Sequence, residues 1–235
     1  MSAWKQKRFW KTATPVAVEG GFTVTLDGRS VKTPAKTLVV VPSMALAELI
    51  AAEWDAQQGV VRPETMPTTR MANSALDKVA PQHAAVADML ADYAGSDLLC
   101  YRAPGPQALI DRQARAWDPL LDWAALRFGA RLTTASGVMH VAQDPAALAS
   151  LRLAIHRQTI FQLAALHDLI AITGSAVLGL AIAERHVTAD EAFQISRIDE
   201  HWQAEQWGRD DEAEAIETGK RIALIEAARF HGLCP

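Results

Sequence analysis

Apolar and polar positions alternate over the first forty residues and then change to a helical rhythm. In "PVAVEGGFTVTLDGRSVKTPAKTLVVV", Phe22, Val24 and Leu26 share one face and Thr23 and Thr25 the other, the period of a half-buried strand. Asp27-Gly28 stands between two such runs and predicts a hairpin, because both central turn positions need positive φ. Ser43 predicts a helix cap, with Leu46, Leu49, Ile50 and Trp54 following at helical spacing until the pattern ends near Gly59. "RPETMPTTR", residues 62–70, reads as a proline-marked connection, and a domain boundary is expected between it and Pro81.

From there the helical period runs almost to the end. Asp118 before Pro119 and Asp144 before Pro145 predict two helix starts, each a cap followed by proline at the first position. Thr188 with Glu191 forms a capping box for the helix that carries "SRIDEHWQAEQWGRDDEAE", residues 196–214. Asp210 or Asp211 is expected to cap a last helix running to Gly232, with Ile216, Ala223 and Phe230 inward. "RLTTASGVMHVA" (131–142) reads as a strand pair or an irregular excursion. "LIAITGSAVLGLAIA" (169–183) is shorter than the ~20 residues a membrane span needs and is broken at Gly174-Ser175. It predicts two buried helices meeting at a turn and no membrane span. The expected class is α+β: a small β-rich N-terminal domain with one helix (1–75), then a larger all-helical domain (76–235).

Charge changes this picture through its distribution. The net charge is −4, which gives no global case for nucleic acid. Residues 1–40 nevertheless hold Lys5, Lys7, Arg8, Lys11, Arg29, Lys32 and Lys36 against only Glu19 and Asp27. Residues 187–217 hold Asp190, Glu191, Asp199, Glu200, Glu205, Asp210, Asp211, Glu212, Glu214 and Glu217 against Arg197 and Arg209. These are either two solvated faces or opposite fields that steer a partner. Two cysteines, Cys100 in "LLCY" and Cys234, suggest no disulfide framework and favour a reducing compartment. The opening "MSAWKQKRFWKTA" is basic and acid-free like a transit peptide, but its tryptophans and phenylalanine form a strand-like run that reads as mature protein.

Candidate chemistry is sparse. "GSAVLG" (174–179) lacks the Lys-Ser/Thr of a phosphate loop and follows no strand, and no Gly-x-Gly-x-x-Gly occurs. No nucleophile elbow is present, and Cys100 reads as a packed core thiol. No catalytic residue and no cofactor are expected. A metal reading rests on His201 and Glu205, one turn apart, with Asp211 or Glu212 approaching from the next helix. His156 and His167, eleven residues apart, would also share a helix face. Neither set completes a Glu-x-x-His repeat or a His-Glu-x-x-His, and solvated helix charges explain them more cheaply. The alternative to a binding function is thus a metal-dependent hydrolase using the acidic and histidine cluster around 199–212.

Seven tryptophans complete the inventory. Trp117 and Trp123 read as core. Ile195, Ile198 and Trp202 make an inward stripe that Glu200 and Trp207 fall outside. Trp207, beside Gly208, is either an interface anchor amid carboxylates or a staple between two helices.

The ordered segments "RFWK", "LDGRSVKTPAKT", "LAELIAAEWDAQ", "MPTTRMANSALD", "LLCYRA", "WDPLLDWA" and "WGRDDEAE" resemble the assembly chaperone of the ATP synthase catalytic head that binds the alpha subunit. The resemblance runs over nearly the whole chain. It implies a β domain followed by a helical domain, and a protein that holds a free, nucleotide-free alpha subunit until a beta subunit replaces it; a monomer is expected. Ser196, Arg197, Glu200, Gln203, Trp207 and Gly208 fit the family's late acidic motif, and "EWD" at 53–55 fits an earlier one. The partner-binding residues so implied are Glu200, Gln203, Trp207, Asp211 and Trp54, with no metal. Because "RFWK" starts at residue 8, a bacterial cytoplasmic member is expected, or the mitochondrial matrix for a processed eukaryotic form. An alpha subunit exposes a large apolar face until paired, and a few aromatic anchors with a charged rim suit its masking.

Overall fold

The structure is a computed structural model that describes residues 7–208 and 210–235. Lys5 of the basic cluster and Arg209 of the acidic stretch lie outside the described residues. Two compact units divide the chain. Among the described residues, the first comprises 7–83 with Thr159–Ala165 and Arg229–Pro235, and the second Ala84–Gln158 with Leu166–Ala228.

The first unit begins with strands β1 (Ala13–Val18), β2 (Gly21–Leu26) and β3 (Arg29–Ser30), antiparallel in the order β1-β2-β3. Asp27 (φ 47°) and Gly28 (φ 83°) form the expected turn. The amides of Thr12 and Lys11 donate to the Asp27 carboxylate and hold its pKa below the usual range. Thr23 departs from the simple alternation: it is buried and donates its hydroxyl to the Val39 carbonyl at 2.6 Å. The returning chain covers that face, with Phe22 and Val41 exchanging backbone hydrogen bonds. At the outer edge, the Ala13 N–H donates to the Asp55 carboxylate (2.9 Å), and Pro15 has no N–H to offer.

Helix α1 (Met44–Asp55) starts where Ser43 Oγ accepts from the Leu46 amide, and it buries Leu46, Ala47, Ile50 and Ala51. The stretch 62–70 proves not to be an open connection. A short 3-10 turn at Pro63–Thr65 leads straight into α2 (Pro67–Ser74). Glu53 fixes that start, accepting from the Thr68 amide (2.7 Å), the Thr69 amide (2.8 Å) and the Thr69 hydroxyl (2.6 Å). A carboxylate at this helix N-terminus satisfies amides that no intrahelical carbonyl reaches. Helix α3 (His83–Ala91) follows after a π turn at Ala75–Val79.

The later helices are α4 (Gln107–Phe128), α5 (Pro145–His156), α6 (Ile160–Thr173), α7 (Ala176–Ala183), α8 (Ala189–Ser196), α9 (Ile198–Trp207) and α10 (Asp211–Gly232). Asp144 caps α5 as expected, accepting from the Ala146 amide. Asp118-Pro119 starts nothing: Pro119 lies inside α4. Buried Trp117, Leu120 and Leu121 hold the helix together there, outweighing the hydrogen bond that proline removes. Asp118 pairs with Arg102 at 2.7 Å instead. The excursion at 131–142 carries a two-residue strand β5 (Ala135–Ser136), parallel to β4 (Tyr101–Arg102), and leaves Val138 and Met139 exposed.

Helices α6 and α7 meet at Gly174 (φ 68°), with Ser175 capping α7, as the broken apolar run predicted. A Cβ on Gly179 would collide with Ile170, so the small residue sets how closely the two helices approach. No helix among the described residues is long and apolar enough to cross a membrane. The Thr188–Glu191 capping box is formed, but the helix it opens stops at Ser196, and α9 begins after Arg197. Within α10 the inward positions are Leu224, Ala227 and Phe230; Ile216 and Ala223 are exposed, against expectation.

Asp97 is the fully buried carboxylate of the second unit. It accepts from the Leu99 amide (3.1 Å) and the Val177 amide (3.0 Å) at the start of α7. Desolvation nevertheless pushes its pKa from 3.8 up to about 6. Between those values the folded chain holds a proton that the unfolded chain has released, so stability rises as pH falls. Burial at Asp199 and the Asp168 hydrogen bond at His167 raise those pKa values too, with the same sign. Urea unfolding from pH 7.5 down to 5 should therefore show increasing stability, and Asp97→Asn should flatten most of the slope. An unchanged slope in that variant would place the proton elsewhere.

Candidate functional site

Helix α9 has an inner face bound to α4 and an outer face left open. On the inner side, buried Gln113 of α4 accepts from the Ala103 amide (2.8 Å) and donates to Asp199 at 2.6 Å. Burial raises the Asp199 pKa against that hydrogen bond, and neighbouring Glu200 adds to the rise. Arg112 grips both Glu205 oxygens (3.0 and 3.1 Å) and lies over the Trp202 ring. Trp117 donates its indole N–H to the Ile195 carbonyl at 3.0 Å. Ile198 is buried, while Ile195 and Trp202 are half-buried.

The junction before α9 is organised by Arg197. One guanidinium nitrogen donates to the Ile172 carbonyl at the end of α6 (2.9 Å), another pairs with Glu200 at 2.6 Å. The guanidinium also lies over Phe193. Its position between the helices explains why the single predicted helix is two.

Glu200, Gln203 and Trp207 are exposed and share the outer face, since steps of three and four residues stay on one side of a helix. Trp207 is 87% exposed. That removes the staple alternative. Asp211 is exposed at the first turn of α10, whose amide at Glu212 is capped by Asp210 (3.1 Å).

The metal reading loses its ligand set. Glu205 is taken by Arg112, and His201 Nε2 meets Glu217 Oε1 at 2.7 Å. His156 and His167 lie on separate helices, α5 and α6, where His156 meets Asp88 (2.6 Å) and His167 meets Asp168 (2.9 Å). No group of three metal-capable side chains occurs among the described residues. Burial pushes the Cys100 thiol up to about 12, with Asp97 adding to the rise, which fits a packed thiol.

Trp54 belongs to the first unit. Its ring packs edge-on to Trp10 at 5.1 Å and is half-buried. Its neighbours in "EWD" are structural: Glu53 caps α2, and Asp55 holds Ala13 and pairs with Arg8 at 3.5 Å. Exposed Ile216, Ile222 and Ile225 of α10 were missed by sequence reading, because a helical pattern alone cannot tell which apolar stripe is covered.

A family profile described as ATP12 chaperone protein matches residues 7–125. The crystal structure of Atp12 from Paracoccus denitrificans is 48% identical with TM-score 0.95, over 99% of this chain and 100% of that one. The chain belongs to the ATP12 chaperone family. A mutant of P. denitrificans Atp12p is 49% identical over 99% of both chains, again with TM-score 0.95. "Protein atp12, mitochondrial" of Schizosaccharomyces pombe is 24% identical over 90% of this chain and 77% of its own length. The profile match ends within α4, whereas the Paracoccus structures cover α9 and α10 through their 99% overlap. The chain is thus a chaperone of α+β architecture, as its ordered segments implied.

The outer face of α9 should tolerate change without loss of fold. Trp207→Ala should leave the melting temperature unchanged, since that ring buries little. Glu200→Lys removes an exposed pair with Arg197, which costs at most about 1 kcal/mol. Thermal unfolding of both variants checks this, and a marked loss in Trp207→Ala would mean that its ring is packed after all.

Proposed function

We propose that this chaperone binds the free alpha subunit of ATP synthase during assembly of the catalytic head and keeps it from aggregating until a beta subunit takes its place. The single observation that carries the reading is Trp207, standing 87% exposed beside Glu200 on a helix whose other face is fully committed. Membership of the ATP12 chaperone family supports it. A desolvatable aromatic with a charged surround is the usual make-up of an interface anchor.

The partner-binding residues are Glu200, Gln203, Trp207 and Asp211 in the second unit and, in the first unit, half-buried Trp54. The chaperone works as a monomer, without catalysis, cofactor or metal, and takes no nucleic acid. Its place is the bacterial cytoplasm, which the bacterial Paracoccus relatives support, or the mitochondrial matrix for a processed eukaryotic form; the S. pombe relative is named mitochondrial.

Stoichiometric amounts, without ATP, should suppress aggregation of purified alpha subunit in a light-scattering assay. Equal binding to assembled catalytic heads would overturn the reading, because the apolar face is covered there. Glu200→Lys should weaken alpha binding at least thirtyfold, since reversing a charge in a desolvated interface costs roughly 2–5 kcal/mol. Trp207→Ala should act in the same direction. Normal binding by both folded variants would move the site off α9.

A further inference from the structure

Helix α10 passes through two environments. Leu224, Ala227, Phe230 and His231 are buried, so the second half is anchored at every turn. From Asp211 to Ala223, every residue except Glu217 is exposed. Ile216 lies eleven residues before Ala227, about three turns, and so on nearly the same face. Yet it is 55% exposed, an apolar position that continues the anchored stripe.

Gly219 separates the two halves. A Cβ there would meet nothing within 4 Å, so packing does not demand a glycine. What glycine does at an exposed helix interior is weaken it. Gly208, at φ 93°, ends α9 on the other side. The helical stretch from Asp211 to Gly219 is short, and a helix of about nine residues is not stable alone in water. Its helicity comes from continuity with the anchored half, from the Asp210 cap, and from the half-exposed contact of Glu217 with His201.

We propose that residues 210–219 form a hinged arm, a helical stretch from Asp211 capped by Asp210, weakly held in the free chaperone and clamped when a partner's apolar surface covers Trp207 and Ile216. The occupant is the apolar face of a protein subunit bordered by basic groups, since the arm begins with Asp210, Asp211 and Glu212. Its identity as the alpha subunit rests on the function proposed above; the hinge does not. Opening the arm forfeits little buried apolar area, which places it at the low-stability end of the fold.

Hydrogen exchange on the full chain tests this. In the free protein, amides 213–219 should exchange at least tenfold faster than amides 225–231. Gly219→Ala should narrow the gap and Glu217→Ala should widen it. Equal protection of the two halves, or no response to Gly219→Ala, would overturn the hinge. Alpha subunit in excess should slow exchange at 213–219; a bound alpha subunit that leaves it unchanged would overturn the clamp. An alpha subunit that does not bind at all would instead defeat the proposed function, with the hinge still decided by the free protein.

Discussion

A carboxylate with no access to water, Asp97, joins the chain before β4 to the start of α7, and the second unit is arranged around that junction. Amides from Leu99 and Val177 converge on it, while the Leu98 amide reaches the Gly174 carbonyl at 3.2 Å. The charge is costly to bury, and the N-terminus of α7 with its oriented amides offsets part of that cost. Because α7 is almost wholly buried, fixing its start fixes what packs on it. Gly179 then sets the approach of α6, and the end of α6 supplies the Ile172 carbonyl that Arg197 needs to break α8 from α9.

That break decides what α9 can show. A continuous helix from Thr188 to Trp207 would keep one axis. The separate α9 instead lies against α4 through Gln113, Arg112 and Trp202, three side chains that leave its inner face no freedom. The outer residues are exposed because the inner contacts fix the rotation of the helix. Under the proposed function, an anchor presented this way needs no reorganisation before it meets a partner, which lowers the ordering cost of binding.

Features set by neighbours in the chain were legible in the sequence. The Asp27-Gly28 turn, the Ser43 and Asp144 caps, the Thr188–Glu191 box and the Gly174-Ser175 break each depend on residues within a few positions. What stayed hidden depends on distant partners. Pro119 reads as a helix start until Trp117 and Leu121 are seen to be buried on either side of it. His201 and Glu205 read as a pair until Arg112 and Glu217, far away in sequence, are seen to divide them. Ile216 reads as core because periodicity reports a face and not whether anything lies against it. The outward positions of Glu200 and Trp207 were legible, as they fall off the stripe of Ile195, Ile198 and Trp202; the degree of exposure was not.

The edge of the small sheet has a bearing on how such a protein can handle a sticky client. An open strand edge is a template on which extended polypeptide can add, strand upon strand. Along β1 the Ala13 amide is already spoken for by Asp55, and Pro15 withholds another donor. A client chain seeking backbone partners therefore finds an interrupted ladder. Under the function proposed above, a client would be held through side chains, and this edge gives its backbone no continuous ladder on which to stack.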